Sequence, residues 1–339
     1  MKKAPIAILA ILLLCSHDLF LKMDGHFIPP NTNATIKLFN GTFERSENVI
    51  ARNRMLDVSL VGHGQRTKVD TTAWYEKDSI TFLKFRSGKE GTWLAGVSTA
   101  SRNIALPAAD FNSYLEHDGV LDMLQWRSEN NAMDTDAVER YSKHVKTLFQ
   151  VGEKLTDDWK TVLGYPIEFV PLENPYDIHP GHSLRFKLLL QGKPLQNQLV
   201  YVGNDHSGQD HAHEEASNKE HAHEDGTVHT HDEVEPVGET HEHTGVQQLR
   251  TDENGEVTVS ISGTGVWYLR TIYMEQVEEE GLTHESNWAT LTFAIGDGHS
   301  HEHGEEAHDH VEDGLPSYSY WIGSLVLVGL LFFWFNRKK

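Results

Sequence analysis

Short runs in which apolar and polar residues alternate recur along most of this chain. Successive side chains of a β-strand point to opposite faces of its sheet, so such runs are typical of antiparallel strands with one buried and one solvated face. Gly and Asn residues separate the runs, as expected where a chain turns between strands. Between residues 27 and 106 the runs are Thr35–Phe39, Leu56–Leu60, Ser79–Phe85 and Thr92–Val97.

A second set of runs begins near residue 166, and turn-forming composition at Gly192–Leu195 and Thr251–Gly255 separates some of its members. The chain is therefore predicted to be mainly β, with two β-sandwich-like domains at residues 17–165 and 166–296. The runs of the second set are Ile167–Val170, Ser183–Leu190, Gln198–Val202, Glu256–Ile261, Gly265–Ile272 and Trp288–Ile295.

Residues 110–150 differ from the rest of the first domain because their apolar residues recur at helical spacing. This spacing predicts a short helical insertion made of two helices. His144 would lie on the second helix, where a partly exposed surface histidine is expected. The apolar residues concerned are Phe111, Tyr114, Leu115, Leu121, Leu124, Val138, Tyr141, Val145 and Leu148.

Fourteen of the 22 histidines are concentrated in two segments without apolar periodicity, in which His-x-His recurs beside Glu or Asp. Such segments bury too little apolar surface to offset the entropy lost on ordering. We therefore predict a disordered loop at residues 204–245, inside the second domain, and a disordered linker at residues 297–316. The histidines are His206, His211, His213, His221, His223, His229, His231, His241, His243, His299, His301, His303, His308 and His310.

These fourteen histidines are predicted metal ligands. Neutral imidazole binds transition metals such as nickel, cobalt, zinc and copper, and a flexible array can bring several imidazoles and a carboxylate to one ion. The pattern leaves the metal open. The lack of thiolates and the irregular spacing argue against a rigid structural or catalytic zinc site. Two other interpretations remain, namely acid sensing between about pH 5 and 7 and a merely solvated polar spacer.

The excess of acidic over basic residues is concentrated in two short segments. Residues 204–243 hold 12 acidic residues against Lys219, residues 297–313 hold 7 against no basic residue, and together they carry 18 of the 21 net negative charges. The basic surface that nucleic-acid binding requires is absent from the sequence, so that class of partner is excluded. The one cysteine, Cys15, falls in the N-terminal targeting segment, which excludes cysteine catalysis and disulfides in the processed chain.

Both termini have the composition of membrane-directed segments. Residues 1–16 combine two lysines, an apolar stretch and a small residue, which predicts a signal peptide cleaved after Ser16. The apolar stretch is too short for a bilayer core of roughly 30 Å, which disfavours an uncleaved anchor. Residues 318–335 are apolar and aromatic and precede a basic tail at residues 336–339, so we expect one transmembrane helix with a cytoplasmic tail.

Cleavage after Ser16 would make His17 the first residue of the processed protein. A terminal histidine offers its α-amino nitrogen and its imidazole to one ion, and a second histidine could complete a copper or nickel site. His17 is therefore a further predicted ligand. Its candidate partners are His26, His63, His179 and His182.

Five segments together resemble the bacterial periplasmic components associated with nickel and cobalt uptake, and the similarity covers most of residues 17–295. The resemblance implies a β-rich extracytoplasmic protein associated with metal transport. It also implies that the second domain is similar to the transthyretin-like or carboxypeptidase-regulatory sandwich, which is generally non-catalytic. The single predicted membrane helix departs from the multi-helix nickel-transporter subunits. The segments are His17–Leu21, Glu139–His144, Gly192–Leu195, Thr251–Gly255 and Trp288–Phe293.

The leading hypothesis is a single-pass cell-membrane protein whose extracytoplasmic part binds transition-metal ions as an accessory to their uptake or homeostasis, beside a membrane metal transporter. The alternative is a surface adhesion or scaffold protein in which the histidine segments are solvated spacers. An enzyme, such as a copper oxidase that uses His17, is not expected, because the sequence has no phosphate-binding glycine loop, nucleophile elbow or distinctive pair of acids.

Overall fold

A computed structural model describes residues 17–205 and 246–296 of the chain. Its strands, numbered in chain order, are β1 (Asp18–Met23), β2 (Phe27–Ile28), β3 (Asn33–Gly41), β4 (Met55–Gly62), β5 (Gln65–Lys68), β6 (Trp74–Lys77), β7 (Ile80–Arg86), β8 (Gly91–Thr99), β9 (Arg102–Leu106), β10 (Ala137–Val151), β11 (Ile167–Pro171), β12 (Ser183–Leu190), β13 (Lys193–Pro194), β14 (Leu199–Asn204), β15 (Gln247–Arg250), β16 (Glu256–Ser260), β17 (Gly265–Glu279) and β18 (Leu282–Ile295).

Helical structure is sparse in the same residues. Two α-helices, α1 (Ala108–His117) and α2 (Leu121–Glu129), stand between β9 and β10. The short 3-10 helices are Arg52–Arg54, Thr71–Ala73, Asp157–Lys160 and Pro175–Asp177. The prediction of a mainly β chain is confirmed for the part of the chain that the structure describes.

The strands form three sheets. A ten-stranded central sheet has the order β15-β14-β17-β18-β10-β8-β4-β5, with β2 and β9 also paired to β10. A four-stranded N-terminal layer has the order β1-β3-β7-β6. A four-stranded C-terminal layer joins β11, β12 and β13 in that order and adds β16 beside β12.

The part of the central sheet that β4, β8 and β10 form is buried on both faces. On β10, Phe149 packs in the apolar cluster that includes β1 and β3, whereas Leu148 packs in the cluster that includes β11 and β12. Ala95 and Leu94 of β8 divide between the same two clusters. Because adjacent residues of a strand face opposite ways, the N-terminal and C-terminal layers cover opposite faces of the central sheet.

The two expected sandwiches therefore share one layer. The segments Glu139–Thr147 of β10 and His284–Thr292 of β18 pair in parallel, although β10 belongs to the first expected domain and β18 to the second. The expected boundary at residue 165 separates the strands of the two outer layers, while the central sheet runs through both expected domains.

The expected helix around His144 is wrong, because residues 137–151 form the strand β10. Its residues from Lys143 to Val151 are all buried. A strand that is covered on both faces carries apolar residues at odd and even positions alike, so the period-two signal is lost. The spacing of Val138, Tyr141, Val145 and Leu148 then imitates a helical face. The observed helices end at Glu129.

Candidate functional site

The histidine segment of the second domain joins two neighbouring strands. β14 and β15 pair in antiparallel fashion, with Val202 opposite Gln247, at one edge of the central sheet. Residues 206–245 connect these strand ends and lie outside the described residues, as do residues 297–339. All fourteen histidines of the two predicted metal-binding segments fall there, so they remain predictions.

Three of the other eight histidines are buried. His26, His144 and His284 are 2–4% exposed, and burial lowers the pKa of each to about 4, so these imidazoles are neutral near pH 7. The Nδ1 atom of His144 lies 2.9 Å from the hydroxyl oxygen of Ser98, and its Nε2 atom lies 3.0 Å from that of Ser142. The expectation of a partly exposed His144 is therefore wrong, since the residue is 2% exposed.

His17 lies at the start of β1, where its Nε2 atom is 2.5 Å from Oε2 of Glu47. His63, His179 and His182, which were its candidate partners, are exposed, and His26 is buried. Within residues 17–205 and 246–296, no group of three or more His, Cys, Asp or Glu residues could hold a metal ion. Of the metal ligands proposed from the sequence, only His17 is among the described residues.

A pocket of about 310 Å³ opens beside His17. It lies between the end of β3, the segment from Asn48 to Arg54, β9 and the first half of β10, and Tyr114 of α1 also lines it. β9 pairs with β10 so that Arg102 faces Tyr141 across the two strands. Glu139, Tyr141 and Lys143 occupy every second position of β10, so they share the face of the strand that borders the pocket.

Lys143 is 4% exposed, and its ammonium group donates a hydrogen bond to the backbone carbonyl of His17. The same ammonium lies over the ring of Trp288, 4.6 Å from the ring centroid. Burial lowers the pKa of Lys143 to about 8, against the opposing effect of the carboxylates of Asp18 and Asp118. A lysine in this position is cationic at neutral pH and poorly hydrated.

Glu139 is the acidic residue of the pocket lining. Its Oε1 atom accepts hydrogen bonds from the hydroxyl groups of Tyr114, at 3.1 Å, and Ser286. Burial raises the pKa of Glu139, although these hydrogen bonds oppose the rise. Burial also raises the pKa of Tyr114, so that hydroxyl group stays protonated and remains a donor.

A second layer of charge lies behind Lys143. Nε of Arg270 is 2.9 Å from Oδ2 of Asp18, and Nη2 of Arg270 donates a hydrogen bond of 2.6 Å to the backbone carbonyl of Asp118. Arg270 is 9% exposed. The carboxylate of Asp18 is thus paired with Arg270 from β17, which joins the first residues of β1 to the central sheet.

Sequence reasoning missed this pocket because it assigned the segment around His144 to a helix. A helix would separate Glu139, Tyr141 and Lys143 around its axis, whereas a strand aligns them. The alternation of Glu139, Tyr141 and Lys143 is the signal that could have identified the common face. The contribution of β9 and of the segment before β4 has no counterpart in local sequence pattern.

The fold and pocket define a mainly β protein with a small-molecule-sized cavity and a long histidine-rich insertion between two neighbouring strands, β14 and β15, at one edge of the central sheet. The chain belongs to the family described as "Domain of unknown function (DUF4198)", whose pattern matches residues 14–275. No curated protein matches the chain. Among residues 17–205 and 246–296, none of the helices is long and apolar enough to cross a membrane; the predicted span at residues 318–335 lies outside them.

Similar solved structures include an α2-macroglobulin of Salmonella carrying the mutation Y1175G, with 11% identity over 83% of this chain and 15% of that chain, at a TM-score of 0.20. Escherichia coli α2-macroglobulin activated by porcine elastase has 9% identity over 83% of this chain and 20% of that chain, at 0.18. The Yersinia pseudotuberculosis adhesin InvE has 15% identity over 82% of this chain and 58% of that chain, also at 0.18. This chain thus spans less than two thirds of each of these structures.

Proposed function

We propose that this protein is an extracytoplasmic, membrane-anchored protein that binds transition-metal ions with its two histidine-rich segments. One observation carries the proposal: fourteen of the 22 histidines lie in two short segments together with most of the net negative charge. Imidazole nitrogen supplies the ligand and the surrounding carboxylates raise the local concentration of cations over roughly 8–10 Å.

The folded body complements these segments rather than duplicating them. Its three buried histidines are neutral near pH 7, and the described residues contain no cluster of three or more metal-ligating side chains. The first segment connects the paired strands β14 and β15 at one edge of the central sheet, on a body with a large buried core. This arrangement supports a protein whose histidine segments carry metal ions and whose folded body anchors those segments.

The proposed role is accessory to nickel or cobalt uptake, with zinc and copper as other candidate ions. The predicted signal peptide and the predicted span at residues 318–335 would hold the second histidine segment close to the outer surface of the membrane. A membrane metal transporter is the partner that such a position suits. The alternative role, a scaffold with polar spacers, predicts no metal stoichiometry at all.

The direct test measures metal content. The full-length protein in detergent is dialysed against nickel, cobalt, zinc or copper, then against metal-free buffer, and analysed by mass spectrometry. A variant with all fourteen histidines of the two segments replaced by Asn should lose most of the bound ions. The matched control replaces His63, His179 and His182, which are exposed on the body, by Asn and should retain them.

Equal metal content in the fourteen-residue variant and the wild type would reject the proposal. Retention should also fall below about pH 6, because protonated imidazole cannot bind a metal and its ordinary pKa is about 6.5. Growth of a null strain complemented with either variant under metal limitation then separates uptake from a scaffold role. Normal growth with the fourteen-residue variant would favour the scaffold.

A further inference from the structure

The pocket beside His17 is lined by three cationic side chains that form no salt bridge within the described residues. Arg54, Arg102 and Lys143 line it, and none of them forms a salt bridge with any described residue. Six other arginines of the described residues form salt bridges, whereas Arg45, Arg86 and Arg127 form none there. The salt bridges are Arg52 with Glu76, Arg66 with Asp57, Arg140 with Glu279 and Glu285, Arg185 with Glu173 and Glu256, Arg250 with Asp122, and Arg270 with Asp18.

Arg54 shows the lack of a salt-bridge partner most clearly. Its Nη1 atom lies 3.5 Å from the hydroxyl oxygen of Tyr141, and its Nη2 atom donates to the backbone carbonyl of Ala100 at 3.2 Å. Its Nε atom has no hydrogen-bond partner among the described residues. The guanidinium charge of Arg54 therefore meets only neutral acceptors, at distances longer than those typical of charge-assisted bonds.

The acidic residue of the lining, Glu139, forms no salt bridge with these cations within the described residues, although its charge is one of those that raise the pKa of Lys143. The Oε1 atom of Glu139 accepts hydrogen bonds from two buried hydroxyl groups, those of Tyr114 and Ser286. Glu47 is engaged with His17. The three cations of the lining therefore favour an anionic ligand in this cavity.

Part of the lining is apolar. Val49, Ile50, Ile104 and Leu106 border the cavity together with the ring of Tyr141. A purely inorganic anion would leave this surface in contact with water and gain nothing from it. The volume of about 310 Å³ is at the small end of the range for ligand pockets, roughly 300–1,000 Å³.

We propose that this pocket binds a small organic carboxylate, with the carboxylate group at Arg54, Arg102 and Lys143 and the hydrocarbon body against Ile104 and Leu106. A planar carboxylate matches the two parallel N–H groups of a guanidinium. The proposal does not rest on metal binding by the histidine segments.

The test titrates the full-length protein in detergent with benzoate and butyrate, and with benzamide, benzylamine and inorganic phosphate as comparisons. Thermal unfolding and calorimetry report binding. Both carboxylates should bind and raise the unfolding temperature, whereas the neutral amide and the amine should not. Loss of a charge-assisted contact in Arg54→Gln should weaken benzoate binding about tenfold or more.

Arg102→Gln is the second variant, because Arg102 is exposed and its replacement should leave the fold intact. It should weaken benzoate binding in the same direction. The matched control is Arg86→Gln, an exposed arginine of β7 that does not line the pocket, and it should bind as the wild type does.

Three results would overturn the proposal. The first is that neither carboxylate binds, and the second is that benzylamine or benzamide binds as well as benzoate. The third is that phosphate binds as well as benzoate, which would show general attraction of anions without use of the apolar wall. Unchanged benzoate affinity in Arg102→Gln, with the fold verified by circular dichroism, would likewise contradict the assignment of the cationic end.

Discussion

Lys146 of β10 and Glu168 of β11 form an ion pair in which both side chains are 1% exposed. The Nζ atom of Lys146 lies 2.9 Å from Oε2 of Glu168 and also donates to the backbone carbonyl of Phe169 at 2.8 Å. The carboxylate of Glu168 further accepts the backbone N–H groups of Leu163 and Gly164, at 2.9 and 2.8 Å. One carboxylate thus joins the central sheet, the C-terminal layer and the loop before it.

Glu168→Gln should therefore lower the free energy of unfolding by about 3–5 kcal/mol, because it leaves the ammonium of Lys146 buried without a counter-charge. Urea denaturation followed by tryptophan fluorescence measures the change. The control is Glu173→Gln, which breaks the partly exposed pair with Arg185 and should cost about 0–1 kcal/mol. Equal effects of the two substitutions would contradict this role for Glu168.

Acid should weaken the fold through its buried histidines. The pKa of His144 is about 4 in the folded protein and about 6.5 when unfolded, so between these values only the unfolded chain binds the proton. Unfolding is then favoured as the pH falls from about 6.5 to about 4, and the stabilisation is fully present above about pH 6.5. His26 and His284, whose pKa values are also lowered to about 4, act in the same direction.

The raised pKa of Glu139 has the opposite effect on stability, because the folded protein holds that proton more firmly than the unfolded chain. The test therefore compares how steeply the free energy of unfolding changes with pH in two proteins. His144→Asn removes one titrating group and keeps a polar side chain beside Ser98. Its free energy of unfolding should fall less between pH 7 and pH 4.5 than that of the wild type. Identical pH dependence of the two proteins would show that His144 is not buried and neutral.

At the scale of secondary structure, β10 is a strand of the central sheet on which both outer layers pack. It pairs with β18 in parallel and with β8 and β9 in antiparallel fashion, and outer layers cover both of its faces along its second half. β12, in contrast, has an exposed face, since Ser183 and Arg185 are exposed and Leu184 is buried.

Alanine substitutions at adjacent positions distinguish a strand that is buried on both faces, such as β10, from a strand with one exposed face, such as β12. Leu148→Ala should cost about 2–5 kcal/mol and Phe149→Ala about 3–5 kcal/mol, because each opens a cavity in a different cluster. In β12, Leu184→Ala should cost about 2–5 kcal/mol, while Ser183→Ala should stay within about 0.5 kcal/mol. Chemical denaturation of the four variants measures this. A small effect at either β10 position would contradict burial on both faces.

The same comparison explains which strands the sequence predicts. β3, β7 and β16 alternate between buried and more exposed residues, and their runs were recognised as strands. β10 was assigned to a helix because its alternation disappears where the second layer covers it. The difference arises from long-range packing, which a local pattern does not encode.

At the scale of the whole molecule, the histidine segment is inserted where the fold tolerates it. Leu199 pairs with Arg250 and Val202 with Gln247, so the strand ends on either side of residues 206–245 already lie next to each other. Closing a flexible loop costs about 0.6 kcal/mol more for each doubling of its length. The body therefore gains nothing in folding free energy from the length of this segment.

Replacement of residues 206–245 by a five-residue Gly-Ser turn in the full-length protein should leave the unfolding temperature unchanged or slightly higher, while metal content falls. Differential scanning calorimetry and metal analysis of the same sample check both effects. A control turn of equal length with four histidines should recover part of the metal but leave the unfolding temperature of the body unchanged. Loss of the fold in both variants would show that the segment is part of the core.

By itself the sequence determined the β-rich character of the chain and the separation of its histidines from its apolar runs, because side-chain periodicity and composition are local properties. It also placed His17 among the candidate ligands. The tertiary structure decided that the two expected sandwiches share one sheet, that His144 is buried, and that Arg54, Arg102 and Lys143 line one cavity. These features depend on which distant segments pack together, and the free energy of that packing is set by both faces of each strand at once.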